Sequence, residues 1–210
     1  SSAYGAGGAS DFQRLRLMIA PAAGPLRIDV AYEHTLLYAQ NASAALGALT
    51  PGSQPSSINR LDLDWPVGIN LGHDVQWRHR LDRLSATLTA GGAELRVGRQ
   101  TISWANTLFL TPADPFSPFD PSDPFREYRG GVDAVRLQLF PSAFSAAEVV
   151  VRPERTPVGR TLTALARGKL SAGGWDLSAW GGALHDRAAA AAAVTRTLAG
   201  AALRGEITLR

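Results

Sequence analysis

RLSATLTA (83–90), GG (91–92), AELRVGRQTISW (93–104), ANTLFLTPADPFSPFDPSDPFREYRGG (105–131) and VDAVRLQLF (132–140) follow one another in the chain, and their reading decides the fold. Leu84, Ala86 and Leu88 alternate with Arg83, Ser85, Thr87 and Thr89. Past the glycines, Leu95 and Val97 alternate with Glu94 and Arg96. Period-two alternation on both sides of a glycine pair is the signature of a β-hairpin. The long Pro/Asp/Phe segment then turns the chain back into a third alternating run, with Val135, Leu137 and Leu139 against Arg136 and Gln138. Short glycine turns at one end and a long loop at the other predict an up-and-down β-sheet with unequal rims. An outer-membrane barrel is laid out in this way.

The same pattern extends outward in both directions. Leu15, Leu17 and Ile19 form a run before the turn PAAGP (21–25), and Leu26, Ile28, Val30 and Tyr32 then oppose Arg27, Asp29 and Glu33. After PSAFS (141–145) come Val149 and Val151. Leu162, Ala164, Ala166 and Leu170 oppose Thr161, Thr163, Arg167 and Lys169; SAGG (171–174) leads into Trp175, Leu177 and Ala179 against Asp176 and Ser178. Leu203, Ile207 and Leu209 finally oppose Arg204, Glu206, Thr208 and Arg210. The segment 59–73 reads as an extension of the third strand or a small loop hairpin. HDRAAAAAAVTR (185–196) reads as a mobile low-complexity loop, with a short helix as the alternative.

That reading gives about nine strands, within a range of eight to ten. It places long connections at 39–76, 105–130 and 186–198 and a short one at 154–159. Single-chain bacterial barrels have even strand numbers. The final LRGEITLR also lies inside a strand pattern. The expectation is therefore a single barrel domain over 1–210 that is part of a longer barrel, or a count wrong by one. Residues 1–10, SSAYGAGGAS, read as a flexible segment of a processed chain, without Met, a basic region or an apolar stretch.

Alternation alone fits a soluble barrel equally well. Two features favour lipid. The apolar faces carry small residues (Ala164, Ala166, Gly168, Ala179, Gly181, Ala183), which would fill a closed core poorly. Tyr32, Tyr38, Trp77, Trp104, Phe140 and Trp175 fall near strand ends, as an interfacial aromatic girdle would. Apolar content is 45%, mean hydropathy is −0.04, and no run reaches the ~18 apolar residues of a membrane helix. Cysteine is absent, so disulfides and thiolate metal sites are excluded. The net charge of +3 does not point to nucleic acid, because the arginines are dispersed along strands and not clustered among aromatics.

The motif residues Gly98, Arg99, Gln100, Ile102, Ser103 and Trp104, then Arg126, Glu127, Tyr128, Gly131 and Asp133, resemble those of bacterial outer-membrane porin-like barrels related to alginate-export channels. In that group G-R-Q-x-[IV]-S-W precedes a loop of N/D-P-[FL] repeats and then R-E-Y-[KR]-x-G-x-D. The chain departs at Ala105, where glycine is expected. The resemblance covers about 60 residues, 79–138 with gaps, and implies an antiparallel transmembrane β-barrel in the bacterial outer membrane. It implies a passage more than a cargo; the function expected here is passive diffusion of small polar solutes or saccharides, with outer-membrane lipid around the barrel and a homo-oligomer or larger membrane assembly as further partners. A non-conducting structural or partner-binding barrel is the alternative.

Candidate pore-lining or constriction residues follow from the polar faces and the loop: Arg27, Asp29, Glu33, Arg83, Arg96, Asp114, Asp120, Asp123, Arg126, Glu127, Asp133, Arg136, Arg167 and Lys169. Wall cations outnumber anions, which would favour anions in a pore. Salt-bridged ladders that stiffen the wall are the competing reading. Loop 105–130 holds Asp-Pro at 114–115, 120–121 and 123–124, which keeps it out of a sheet, and Phe116, Phe119 and Phe125 as anchors. It reads as an inward constriction or an external lid, pinned by Arg126, Glu127 and Asp133.

No catalytic residue, metal or cofactor is expected. None of His34, His73, His79 and His185 has metal-site spacing. His79, Asp82 and Ser85 read as polar strand residues, with a rim hydrolase as the remote alternative. GAGG (5–8) follows no strand, so it is no nucleotide loop.

Overall fold

The computed structural model describes residues 10–39, 67–70, 74–105, 113–116, 131–156, 159–198 and 200–210. They form one antiparallel sheet, and no helix occurs among them. The strands are β1 (Ser10–Ile19), β2 (Ala22–Ala23), β3 (Leu26–Ala39), β4 (Val67–Asn70), β5 (Asp74–Ala90), β6 (Ala93–Gln100), β7 (Val132–Ser142), β8 (Ser145–Thr156), β9 (Gly159–Ala172), β10 (Trp175–Leu184), β11 (Arg187–Leu198) and β12 (Ala201–Leu209). Ten of them make an up-and-down meander in the order β1-β3-β5-β6-β7-β8-β9-β10-β11-β12. The two-residue β2 flanks β3, and β4 forms a small hairpin with the start of β5. Among the described strands β1 and β12 do not pair with each other, so the sheet is open.

Alternation divides the sheet into two unlike faces. Leu84, Leu88, Leu95, Val97, Leu137, Leu139, Leu162, Leu170 and Leu177 all lie on one face, and all are exposed; Leu88, for example, is 47% accessible. The other face carries buried Glu33, Thr87, Glu148, Arg152, Glu154, Thr163 and Arg167. Apolar side chains are therefore exposed and charged ones buried, the reverse of a soluble sandwich. In β9 the apolar stripe from Leu162 to Leu170 runs about 27 Å at ~3.4 Å per residue. Among the described side chains, charge on the apolar face lies near strand ends: Asp11, Arg160 and the Arg99–Asp133 pair at one end, and Arg196 at the other.

Three details differ from the sequence reading. The alanine-rich segment is strand β11, neither loop nor helix, and it raises the meander from nine strands to ten. His185 and Asp186 (φ 52° and 62°) supply the two left-handed residues of a tight turn, so 186–198 is no long connection. Second, β5 carries a bulge: its register with β3 shifts between Ala31 and Tyr32, where Ala31 pairs Arg83 and Tyr32 pairs Leu81, leaving Asp82 as the extra residue. Third, Trp104 is no girdle residue, being 1% exposed on the charged side. Tyr32 and Trp175 do share the apolar face with their strand neighbours.

Close strand packing fixes some glycines and not others. Gly98 has φ +113°, and a Cβ there would overlap the Leu84 carbonyl oxygen. Gly173, in the β9–β10 turn, has φ +60° but open space around it. Gly98→Ala should therefore cost about 1–3 kcal/mol from backbone strain, with the collision added. Gly173→Ala should cost only the left-handed term, about 1 kcal/mol. Urea midpoints of the two folded variants would rank them; equal midpoints would mean that the Gly98 backbone relaxes freely.

Candidate functional site

The charged face is organised around three clusters. At the β5 bulge, Asp82 (2% exposed) accepts from Arg16 Nη2 at 2.5 Å, Arg83 Nη1 at 2.6 Å and the Gly131 amide at 3.2 Å. Glu33 on β3 accepts from Arg14 and, at 3.3 Å, from Arg16 Nη1. Arg16 thus ties β1 to both β3 and β5. The bulge makes this possible, because it turns Asp82 inward between Leu81 and Leu84, which both stay with the apolar alternation.

The second cluster lies where the chain leaves β6. Residues 102–104 and 113–116 lie across the charged face of β8 to β12. Trp104 Nε1 donates to Glu148 Oε1 of β8 at 2.9 Å, and Trp180 Nε1 of β10 donates to the Ala113 carbonyl at 2.7 Å. The Ala113 amide donates to Glu206 Oε2 of β12 at 3.3 Å. Ser103 Oγ donates to Asp114 Oδ2 at 2.9 Å, and the Phe116 amide donates to Asp114 Oδ1 at 3.1 Å. Phe116 packs edge-on to Trp104, with ring centres 4.8 Å apart, and Trp180 lies 6.1 Å from Trp104. Arg136 Nε donates to Glu148 at 2.7 Å, and Arg167 stands 5.5 Å above the Trp104 ring. A buried aromatic cluster therefore sits on a charged wall and holds this segment there.

The third cluster surrounds Glu154, which is fully buried. It accepts from Thr163 Oγ1 at 2.7 Å and pairs with Arg152 at 3.0 Å and His185 Nδ1 at 2.9 Å. The β10–β11 turn is thereby fastened to β8 and β9.

Most of the wall cations singled out in the sequence are matched to anions. Arg27 pairs with Asp29 at 2.7 Å, Arg83 with Asp82, Arg96 with Glu94 at 3.1 Å, and Arg136 with Glu148. Arg167 is buried over Trp104 and donates to Ser178 Oγ at 3.4 Å, whereas Lys169 is exposed near the short-turn end of β9. Asp114 is buried in the second cluster. Asp133 is not on the charged face. It shares the alternation of Val135 and Leu137 and holds Arg99 through two bonds, 2.9 and 3.1 Å, with Arg99 also donating to the Leu81 carbonyl at 2.8 Å. Asp120, Asp123, Arg126 and Glu127 lie outside the described residues, as do most of loop 105–130 and the side chain of Trp77.

His79 lies on the apolar face against Tyr32 and His34, whereas Asp82 and Ser85 lie on the charged face, where Asp82 binds Arg16 and Arg83. Among the described residues no group of three or more His, Asp or Glu is placed to hold a metal ion. The sequence reading passed over Glu148, Glu154, Arg152 and Trp180. A carboxylate between Ala147 and Val149 is the signal that Glu148 gives, since its neighbours belong to the apolar face.

These strands define an antiparallel up-and-down sheet with a buried charged face and an exposed apolar face. Comparison with known proteins found no matching family model, no matching curated protein and no matching solved structure.

Proposed function

We propose that the chain forms the wall of a bacterial outer-membrane β-barrel, a porin-like channel for passive diffusion of small polar solutes or saccharides. One observation carries this reading: charged side chains are buried on one face while Leu, Val and Ile are exposed on the other. A lipid-facing wall around a polar lumen requires that inversion. Unpaired backbone is not tolerated in hydrocarbon, so the free edges of β1 and β12 must be satisfied. In an up-and-down order of ten strands these two run antiparallel, the orientation in which the edges of one barrel close.

The aromatic cluster on the charged face favours a second reading, a non-conducting structural or partner-binding barrel with a filled interior. Planar-bilayer recording separates the two. The channel reading expects discrete conductance steps from the purified full chain. Their absence, in a chain that inserts and resists heat in detergent, would favour the filled barrel. Because most wall cations are paired, the channel should show only weak preference between anions and cations.

A further inference from the structure

The outer face of β9–β12 carries a wider hollow than the one beside Leu84, Val97, Val135 and Val151 on β5–β8. Gly168, Ala179, Ala192 and Gly205 floor an open groove of about 730 Å³, walled by Leu177 and Val194. The floor follows the register, with Gly168 opposite Ala179 and Ala179 opposite Ala192. Two rungs nearer the short turns, Trp175 pairs with Arg196, and the guanidinium stands 4.7 Å above the indole ring. Arg196 has no carboxylate partner among the described residues, in contrast to most cations on the inner face.

We propose that this groove and Arg196 bind a single glycerophospholipid, with an acyl chain along the groove and the phosphate on the guanidinium. The inference rests on the outer-membrane reading above. Charge decides the occupant. An apolar groove alone would accept any hydrocarbon, but an outward arginine without a carboxylate favours an amphiphile with an anionic head. Guanidinium and phosphate oxygens make charge-assisted, often bidentate hydrogen bonds. Trp175 fixes the arginine by a cation–π contact and places this end of the groove at headgroup depth, where tryptophan is enriched. The short turns of such barrels lie on the periplasmic side. The site therefore faces the inner leaflet, and its ligand is a phospholipid from that leaflet.

The test uses the full chain in detergent, titrated with phosphatidylglycerol or with diacylglycerol of the same acyl chains, bound lipid being counted by native mass spectrometry. Wild type should bind phosphatidylglycerol more tightly than diacylglycerol. Arg196→Gln should weaken phosphatidylglycerol about tenfold, equivalent to about 1.4 kcal/mol, and leave diacylglycerol unchanged, while Arg196→Lys should retain much of the affinity. Gly168→Leu should weaken both lipids, because a Cβ at Gly168 enters open space and the longer side chain fills the groove without backbone collision. Equal affinity for the two lipids, or binding untouched by Arg196→Gln, overturns the proposal. Loss of a dimer, and not of lipid, in Gly168→Leu would identify a second copy as the occupant and overturn it too. The same preparation is added to vesicles: insertion without lipid preference rejects this site alone, and failure to insert rejects the channel reading along with it.

Discussion

Asp82→Ala should lower the stability of the folded chain by about 3 kcal/mol, measured by urea unfolding in detergent or vesicles. Breaking a buried ion pair by removing one partner costs about 3–5 kcal/mol, because the remaining charge stays desolvated. The Arg16 and Arg83 side chains keep 11% and 16% exposure, which places the expected value at the lower end. Arg16 would retain Glu33, but the bonds that Arg83 and the Gly131 amide make to this carboxylate would be lost. Asp82→Asn keeps the acceptor for Gly131 and loses the charge, so it should fall between wild type and alanine. The bulge gives the residue this weight, since it leaves Asp82 unpaired in the ladder and directs it among groups from β1, β5 and Gly131, the residue before β7. A loss under about 0.5 kcal/mol would mean that water or Glu33 replaces the carboxylate, and that the cluster has little structural role.

Much of the sheet is legible in the residues, for a physical reason. Where a strand separates two environments, side chains of opposite character alternate, as Leu84/Ser85 and Leu137/Gln138 do. Glycine pairs such as Gly91–Gly92 and Gly173–Gly174 mark turns because they adopt positive φ without cost. Strand β11 escaped because both its faces are alanine. Ala189, Ala191 and Ala193 are buried and Ala188, Ala190 and Ala192 are exposed, so the environments alternate while the residue type does not. The Val194/Thr195/Arg196 continuation and the His-Asp turn are the traces that period two leaves there. The bulge was also written in the spacing: Leu81 and Leu84 both follow the apolar alternation, and an odd interval requires one extra residue. Trp104 was misplaced because its position at a strand end fits an interfacial girdle as well as a buried anchor. Its partners Glu148 and Trp180 come from distant strands, and only the folded sheet brings them together.

Deleting residues 112–125 should raise the unit conductance severalfold and admit larger solutes, while the barrel still resists heat in detergent. This expectation belongs to the channel reading, in which the charged face lines the lumen. Within the deleted segment, residues 113–116 are held on that face by bonds a loose lid would lack. Trp180 Nε1 bonds the Ala113 carbonyl at 2.7 Å, Asp114 takes Ser103 Oγ at 2.9 Å, and Phe116 is buried against Trp104. Burying a phenylalanine is worth about 1.5–3 kcal/mol, enough to hold the segment in place against thermal opening. None of these contacts belongs to the ladder of β6 to β12, so the wall should survive their loss. Trp104→Ala offers a milder version: it frees Glu148 from the indole, removes the surface on which Phe116 packs, and should shift conductance in the same direction by less. If the deletion inserts normally and conducts like wild type, the segment does not narrow the passage, and its burial on the wall serves stability alone.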